Sequence, residues 1–435
     1  MKTPEVPLLS IIGAQWGDEG KSKIVSHYAP YYDIIARAAG GPNAGHTIHM
    51  NGNQYKFHGL PESGLWPGKL GVIGPGALVD PIKLGEEIKK YNVADSDLAI
   101  SHNAFLITPV HVRKDEIREA SAGRQGTTKV GIAFAAADKA QRIGVPLCLV
   151  EERAQEIHDS IVEDLSNLES QLTELDLELR DPIEEAEAWL ESARALGKYA
   201  RDTTILIYDA LMSEKTILVS GAQSHNLDLN EQPYPYGTST HTVSGGISTG
   251  LPVAPWALAH VTGVIKLFKS RVGDGPFVTE IIDDDLANNI RGELGQPGAE
   301  WGTTSERARR VGYLDLPEVK RAIIGSGITE IATTKLDQLP RFGRSILVAT
   351  SYNMPGRDEP VYIAPNVASE LAQAEPVYEE FGLWSEDDNN RVSGAKSWID
   401  LPYAAKRLLG FIEQQLEIEI RLIGTGVDQE QIIVR

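Results

Sequence analysis

The sequence from residue 8 to residue 23 is L-L-S-I-I-G-A-Q-W-G-D-E-G-K-S-K, and this stretch decides the fold class. An apolar run that ends in glycine is typical of a buried strand. The glycine-rich loop behind it leads into a predicted helix, and backbone N–H groups at a helix start attract anions. A P-loop would need a glycine five residues before Gly20, where Gln15 stands. The stretch therefore predicts a nucleotide phosphate site in an α/β protein, built differently from a P-loop.

The same alternation of strands and helices continues outward along the chain. Residues 33–39 and 69–74 are further predicted strands, residues 83–91 a helix, and residues 330–337 and 345–352 later strands. We therefore predict an α/β fold, with one large domain around a mainly parallel central sheet and with helical and loop excursions.

The predicted single domain, residues 1–435, contains an acidic helical excursion at about residues 151–203. Apolar residues recur there at three- and four-residue spacing, and Pro182 separates the first acidic helix from a second. We interpret the charged faces as solvated surface, with a short coiled-coil contact as the alternative. The α/β pattern resumes with T-I-L-I-Y at residues 204–208.

The composition excludes several classes of protein. The chain has 435 residues, 42% of them hydrophobic, and a net charge of −20, which argues against broad non-specific binding to nucleic acid. Cys148 is the only cysteine, so neither an internal disulfide nor a cysteine zinc site is expected. The sequence contains no apolar run of about 18 residues and no signal-peptide pattern, so we expect a cytoplasmic protein without a membrane span.

Two loops carry candidate catalytic side chains. In the first, Lys21 can reach a phosphate, whereas the Asp18 carboxylate would repel one unless it binds Mg²⁺ or acts as a base. The second loop, G-G-P-N-A-G-H-T at residues 40–47, presents Asn43 and His46 on a glycine-dense turn. A histidine in such a loop is a candidate acid or base.

Both loops resemble those of the adenylosuccinate synthetase family, in which W-G-D-E-G-K is followed by N-A-G-H-T. The resemblance continues in order along most of the chain. The further blocks are G-T-T at 126–128, D-K-A-Q-R at 138–142, G-A-Q at 221–223, Y-P-Y-G-T-S at 234–239, R-V-G-D-G-P-F-V-T-E at 271–280, G-T-T-S-E-R-A-R-R-V-G-Y-L-D at 302–315, T-K-L-D at 334–337 and G-T-G at 424–426.

The resemblance implies a ligase that joins L-aspartate to C6 of a 6-oxopurine nucleoside monophosphate. The purine O6 is first phosphorylated by a nucleoside triphosphate, and aspartate then displaces the phosphate. By resemblance Asp18 is the base and binds Mg²⁺ together with the Gly45 carbonyl. His46 is the general acid, and Lys21 holds the transferring phosphate oxygens.

The same resemblance assigns the binding residues. Those for the nucleoside monophosphate are Asn43, Ala44, Thr128, Arg142, Gln223, Thr238 and Arg307. Those for aspartate are Thr303, Thr304, Ser305, Arg307 and Arg309. Those for the triphosphate donor are Gly17, Glu19, Gly20, Lys21, Ser22, Lys23, Gly45, His46, Thr47, Arg309, Lys335, Asp337, Gly424, Thr425 and Gly426. Arg142 matches an arginine that reaches the nucleotide of a neighbouring subunit, which implies a homodimer.

Four serines stand where the family blocks carry other residues. Ser22 and Ser224 replace glycine, Ser26 replaces the aspartate of bacterial members, and Ser220 replaces glutamate. Since Asp18 is kept, as is the histidine, a catalytically idle nucleotide-binding protein is disfavoured. The departures favour altered substrate choice.

We therefore hypothesise that the substrate is dGMP, as in a phage branch of the family that makes N6-succino-2-amino-2′-deoxyadenylate, a 2-aminoadenine precursor. Ser22 and Ser26 would then accept a hydrogen bond from the purine 2-amino group, which is costly to bury without a partner. The alternative is an ordinary member that acts on IMP with GTP. The T-K-L-D block favours GTP, because Asp337 can accept from guanine N1–H and the 2-amino group together, whereas the phage branch is expected to use ATP or dATP.

Overall fold

The computed structural model describes residues 7–121, 126–302 and 307–435. The strands are β1 Leu8–Gly13, β2 Ile34–Arg37, β3 His46–Met50, β4 Asn53–Phe57, β5 Leu70–Ile73, β6 Leu78–Val79, β7 Leu98–Ser101, β8 Phe105–Leu106, β9 Val145–Pro146, β10 Ala200–Arg201, β11 Ile217–Ser220, β12 His260–Lys266, β13 Lys269–Arg271, β14 Arg310–Gly312, β15 Leu314–Asp315, β16 Glu330–Thr334, β17 Ser345–Asn353, β18 Glu375–Gly382, β19 Ile420–Gly424 and β20 Ile432–Val434. The α-helices are α1 Lys21–Tyr28, α2 Pro81–Lys90, α3 Pro109–Ala120, α4 Ile132–Gln141, α5 Ala154–Glu174, α6 Pro182–Leu196, α7 Thr203–Met212, α8 Ser244–Gly250, α9 Asp284–Arg291, α10 Leu316–Ser326, α11 Ala368–Leu371, α12 Glu386–Gly394 and α13 Tyr403–Leu416.

A ten-stranded sheet forms the centre of the molecule, in the order β10-β7-β5-β2-β11-β1-β12-β16-β19-β20. Its neighbouring strands are parallel except for the last pair, in which β20 runs antiparallel to β19. All six residues of β1 are buried, as expected of a strand in a parallel sheet covered on both faces. The predicted α/β fold with a mainly parallel central sheet is confirmed.

The parallel arrangement places the loops that carry chemistry side by side. Strand β1 lies between β11 and β12, and β2 lies beyond β11. Because the carboxyl ends of parallel strands meet at one edge of the sheet, the loops that follow β1, β2, β11, β16 and β19 come together there. These loops contain the W-G-D-E-G-K, N-A-G-H-T, G-A-Q, T-K-L-D and G-T-G blocks of the sequence.

Helices cover the sheet with apolar faces. Helix α13 buries Leu408, Leu409 and Ile412, which recur on one side of the helix and join the main hydrophobic core. A second core lies under α2, α5 and α6. Strand β17, which covers the predicted strand 345–352, belongs to a separate three-stranded sheet with β15 and β18.

The acidic excursion consists of α5 and α6, which pack against each other. Helix α5 buries Ile157, Ile161 and Leu165 on one face, and its acidic residues lie mostly on the exposed side. Helix α6 begins at Pro182, where proline lacks a donor that the first turn does not need, and the Asp181 side chain caps it. None of the helices in the described ranges is long and apolar enough to cross a lipid bilayer.

Candidate active site

The loop between β1 and α1 turns sharply at three positions. Gly17, Asp18 and Gly20 have φ angles of 91°, 58° and 86°. Glycine adopts this left-handed backbone at little cost, and aspartate is among the residues that tolerate it. The Glu19 carboxylate lies inside the turn, where it accepts a hydrogen bond from the Gly17 amide at 2.8 Å. The loop therefore presents the Asp18 side chain outward and keeps that of Glu19 within.

Glu19 is completely buried and holds the lysine at the start of α1. Its carboxylate lies 2.8 Å from Lys21 Nζ. Burial alone would raise the pKa of the Glu19 carboxyl, but Lys21 and a hydrogen bond with Ser224 bring it below its ordinary value. Ser224 Oγ also accepts from the Gln15 amide at 2.9 Å. Glu19, whose carboxylate is predicted to contact the donor nucleotide, thus positions Lys21. Ser224, one of the four serines that replace other residues of the family blocks, hydrogen-bonds to this carboxylate.

Asp18 lies at the carboxyl-end edge of the sheet and pairs with an arginine of the basic block, which is the R-A-R-R run at residues 307–310. Its carboxylate is 2.8 Å from Arg309 Nη2, and its side chain is 32% exposed. Arg309 Nη1 in turn lies 2.7 Å from Glu300, which is completely buried. Burial would raise the pKa of Glu300, but Lys266, Lys335 and Arg309 hold it well below its ordinary value. The two predicted residues are brought together, and Glu300 fixes the arginine.

His46 begins β3 with one ring nitrogen engaged and the other directed into the site. Its Nδ1 lies 2.6 Å from Glu62 Oε1. Its Nε2 is buried and makes no hydrogen bond within the described residues. Burial lowers the pKa of His46, although the neighbouring carboxylate acts in the opposite direction. Since buried polar atoms are normally paired, the open nitrogen indicates a polar ligand.

The end of β11 supplies a second set of buried atoms without partners. Gln223 has a left-handed backbone, with φ at 47°, and neither of its amide atoms has a partner among the described residues. The amide lies against the second loop, since a Cβ atom placed on Gly40 would be 3.3 Å from Gln223 Oε1. Asn43 Oδ1 is also buried without a partner there. A polar purine edge would satisfy these groups.

The G-T-T block at residues 126–128 lies next to the basic block. A Cβ atom placed on Gly126 would be 3.8 Å from Arg307 Nη1, so the predicted monophosphate residues Arg307 and Thr128 share one region. Asp115 holds this loop by accepting from Thr127 Oγ1 at 2.9 Å and from the Gly131 amide at 3.0 Å. An anion can be bound here between a guanidinium and backbone amides.

The loops after β16 and β19 form the opposite end of the site. Lys23 Nζ donates to the Gly426 carbonyl at 2.8 Å and also to the Asp428 carbonyl. Burial lowers the pKa of Lys23 to about 8. Thr425 Oγ1 is buried without a partner in the part of the chain that the structure describes. Thr334 Oγ1 donates to the Glu19 carbonyl at 2.6 Å. It thereby joins this end of the site to the loop between β1 and α1, which is the predicted phosphate loop.

The sequence model of the family described as adenylosuccinate synthetase matches residues 10–433. The chain belongs to the adenylosuccinate synthetase family. It is 40% identical over 434 residues to the adenylosuccinate synthetase of Thermoanaerobacter sp. (strain X514), with 98% of each chain covered. It is 39% identical over 432 residues to that of Acetivibrio thermocellus, again with 98% of each covered.

Two solved structures of ligated synthetases are similar to this chain. That of the fully ligated adenylosuccinate synthetase from Plasmodium falciparum has a TM-score of 0.88 and 32% identity, and covers 99% of this chain and 100% of its own. The succinoaminodeoxyadenylate synthetase of cyanophage S-2L, bound to dGMP and dATP, has a TM-score of 0.62 and 18% identity, with 99% and 95% covered. This second likeness shows a shared fold alone. The protein is a carbon–nitrogen ligase of the adenylosuccinate synthetase type.

Several predicted residues of this synthetase lie away from the cluster or outside the described residues. Arg142 is exposed at the end of α4, with φ at 65°. The Ser26 hydroxyl donates to the Lys23 carbonyl of its own helix at 2.8 Å, and Ser22 is buried in the first turn of α1. The predicted aspartate-binding residues outside the described ranges are Thr303, Thr304 and Ser305.

The residues predicted to read the donor base, Lys335 and Asp337, have partners within the protein. Lys335 Nζ lies 2.9 Å from the Gly298 carbonyl and 3.1 Å from Glu300. The Asp337 carboxylate accepts from Gln338, and its backbone carbonyl accepts from Asn389 at 2.8 Å.

Four buried charged groups around the candidate catalytic side chains are absent from the sequence prediction. These are Arg37, Glu62, Lys266 and Glu300. Glu300 stands two residues before the G-T-T-S block. An acid so close to the basic block could have indicated a partner for one of its arginines. Glu62 stands in an ordinary L-P-E-S-G turn, and no spacing in the sequence connects it with His46.

Proposed function

We propose that this ligase joins L-aspartate to C6 of IMP, with GTP as the phosphate donor and adenylosuccinate as the product. The observation that carries the proposal is the 40% identity, over 98% of both chains, to an enzyme named adenylosuccinate synthetase. The dGMP hypothesis has weaker support, because the dGMP-bound neighbour shares only 18% identity. The full-length relatives therefore favour the alternative that the sequence left open.

The proposed first step activates the purine oxygen. The Asp18 carboxylate, which pairs with Arg309 at 2.8 Å, removes the N1 proton of IMP. The resulting O6 anion attacks the γ-phosphoryl group of the donor. Lys21 and the loop amides stabilise the charge on the transferring oxygens. The protonated His46 donates its Nε2 proton to the departing diphosphate, and this nitrogen is buried without a partner among the described residues.

In the proposed second step the aspartate amine attacks C6, and the 6-phosphoryl group leaves as phosphate. The Gln223 amide, whose two polar atoms lack partners within the described residues, orients the purine near O6. Arg307 and Arg309 suit the two carboxylates of aspartate, because a guanidinium pairs with carboxylate oxygens through a planar fork. Aspartate recognition by residues 303–305 stays a prediction.

A magnesium ion fits this site by the chemistry of its donors. Mg²⁺ in nucleotide enzymes is held by one or two carboxylates together with substrate phosphates. The Asp18 carboxylate and the Gly45 carbonyl would hold it, and the ion would neutralise phosphate charge. Groups of three or more acidic, histidine or cysteine side chains suited to a metal are absent from the described residues, which fits an ion held mainly by substrate.

The contacts of Ser22 and Ser26 do not favour the hypothesis that the substrate is dGMP. The Ser26 hydroxyl is used within its own helix, where it donates to the Lys23 carbonyl. An adapted pocket would need an acceptor aimed at the purine 2-amino group. Ser22 replaces a glycine at the start of α1, a position where serine is acceptable for helix formation.

The proposed assembly is a homodimer in which Arg142 contacts the nucleotide of the neighbouring subunit. The support from this chain is that Arg142 is exposed, on a short turn after α4, and can reach outward. Sedimentation of the protein with and without IMP measures the assembly state. A cytoplasmic location also stays a prediction.

A crossed substrate assay tests the proposed function. The protein is incubated with Mg²⁺ and L-aspartate, with IMP or dGMP against GTP or dATP, and the products are identified by mass. We expect adenylosuccinate from IMP and GTP, and turnover of dGMP at least about 100-fold slower. In the matched variant Ser22→Gly the ratio of IMP to dGMP turnover stays unchanged. Turnover of dGMP without turnover of IMP would overturn the proposal.

A further inference from the structure

We propose that Glu62 is the positioning residue for His46, and that it supplies from another part of the chain the carboxylate that the family block carries at position 220. The inference rests on the proposed role of His46 as the acid. It concerns residues of this chain, since Ser220 stands where, by the resemblance, the family block begins with glutamate. Three contacts and one buried charge carry it.

The first observation is the geometry of the histidine. Glu62 Oε1 lies 2.6 Å from His46 Nδ1, and both side chains are buried. An ionised carboxylate only accepts hydrogen bonds, so Nδ1 keeps its proton in both the neutral and the protonated ring, and the proton that His46 gives up as an acid is the one on Nε2 of the protonated ring. This bond fixes both the tautomer and the direction of Nε2, which points into the site without a protein partner among the described residues.

The second observation is the position of the serine. Ser220 Oγ donates to the same oxygen, Glu62 Oε1, at 2.8 Å and lies 3.4 Å from His46 Nδ1. A side chain longer than serine at position 220 would enter the space of the Glu62 carboxylate. Two carboxylates at this distance would also repel each other in a buried setting. The site therefore accommodates one carboxylate, from either position 62 or position 220.

The third observation is the charge around the pair. Arg37 is buried beside it and donates to the His58 carbonyl at 2.7 Å, while its Nη2 has no partner within the described ranges. Burial would raise the pKa of Glu62, but His46 and Arg37 lower it to about 2. The carboxylate is thus ionised and balances a buried guanidinium. The other charge that acts on the ring is that of Lys21.

A variant series tests the positioning role through turnover and binding. In Glu62→Gln we expect kcat to fall about 100-fold, because the amide can present either an acceptor or a donor to Nδ1. The KM for IMP should change by less than about 3-fold, since neither carboxylate oxygen contacts the substrate in this scheme. Glu185→Gln is the matched control. It makes the same replacement at a carboxylate of the helical excursion, which is partly buried and lies 3.2 Å from Arg113. Its kcat should be that of the wild type.

The decisive variant moves the carboxylate. In the double variant Glu62→Ala, Ser220→Glu, which also frees the space at position 62 for the longer side chain, we expect kcat to recover to within about 10-fold of the wild type. A purely structural role of Glu62 would not produce this rescue. Failure of the double variant to recover, with its thermal transition intact, overturns the exchange of positions. If Glu62→Gln does not fold, Glu62→Asp takes its place, with a lower kcat and an intact transition as the expected result.

The proposed function and this inference fail in distinguishable ways. If His46→Asn is inactive while Glu62→Gln turns over like the wild type, the acid role stands and the positioning role is wrong. If His46→Asn turns over normally, the assigned acid role is itself wrong. A joint rise in KM with unchanged kcat in Glu62→Gln would place Glu62 in substrate binding and overturn the positioning role.

Discussion

The phosphate loop and the acidic helical pair α5–α6 are both rich in carboxylates, but they use them in opposite ways. In and around the loop, Glu19 and Glu300 are completely buried, and each contacts a lysine or arginine. In the helical pair and its connection, Glu156 of α5 and Glu178 between the helices are 64% and 69% exposed, and their arginine partners are solvated as well. The same residue type is thus part of a fixed network in one region and of a wetted surface in the other.

The difference follows from the cost of burying charge. A carboxylate taken out of water must be paired and hydrogen-bonded, so each buried acid in the site requires a matched base. An exposed ion pair contributes little, because water screens it. The helical pair is therefore stabilised by its apolar face, and the site by its charges. Substitutions should affect catalysis in one region and stability in the other.

The largest expected effect is in the phosphate loop. Asp18→Asn keeps the shape of the side chain but removes the base, and we expect kcat to fall about 1,000-fold. The fold should be retained, because the Asp18 side chain is 32% exposed and its pairing with Arg309 is at the edge of the site. Steady-state kinetics and a thermal melt measure the two quantities. Turnover near the wild-type value would contradict both the base assignment and the contrast between the regions.

An intermediate effect, on stability, is expected in the helical pair. Trp189 of α6 is buried, and its indole N–H donates to the Ile107 carbonyl at 2.7 Å. Trp189→Ala should lower the free energy of unfolding by about 3 kcal/mol, because it leaves a cavity and an unpaired carbonyl. Denaturant titration measures this loss. The kcat of the folded variant should be unchanged; a parallel fall in kcat would mean that the two regions are coupled.

The smallest effect is expected on the exposed face of the same helices. Arg153 and Glu156 form an ion pair three residues apart at the start of α5, with the Arg153 Nε 2.8 Å from Glu156 Oε2. A double-mutant cycle with Arg153→Ala and Glu156→Ala should give a coupling energy within error of zero. A clear coupling in the unfolding free energy would show that this acidic surface contributes to stability after all.

The sequence was sufficient to predict the elements whose signal is local. The strand and turn of residues 8–20 follow from an apolar run ending in glycine, and Pro182 marks the start of α6 because proline is accepted in a first helical turn. Asp18 and His46 could be selected because each stands in a glycine-rich loop at a strand end. The hypothesis that Ser22 and Ser26 accept from a purine 2-amino group could not foresee the direction of the Ser26 hydroxyl, because that direction depends on the geometry of the helix.

The buried partners could not be predicted from the sequence, because tertiary packing alone brings them to the site. Glu62 is 16 residues from His46 and 158 from Ser220, and no periodicity links the three. The sequence predicts Glu19 at the donor nucleotide, but it does not show that the Glu19 carboxylate lies 2.8 Å from Lys21. A short loop with two acids can present either one outward, and the left-handed backbone at Asp18 decides between them.

The hydrogen bond from the Thr334 hydroxyl to the Glu19 carbonyl has a consequence for donor selection. It joins the loop predicted to contact the donor's phosphates to the strand that precedes Lys335 and Asp337, which are predicted to read the donor base. In the proposed assignment, the separation between the base end and the phosphate end of the donor is therefore set before any nucleotide arrives. On that assignment a nucleotide with one phosphate fewer would lack the group placed at Lys21, and the sheet edge would select the donor by its length as well as by its base.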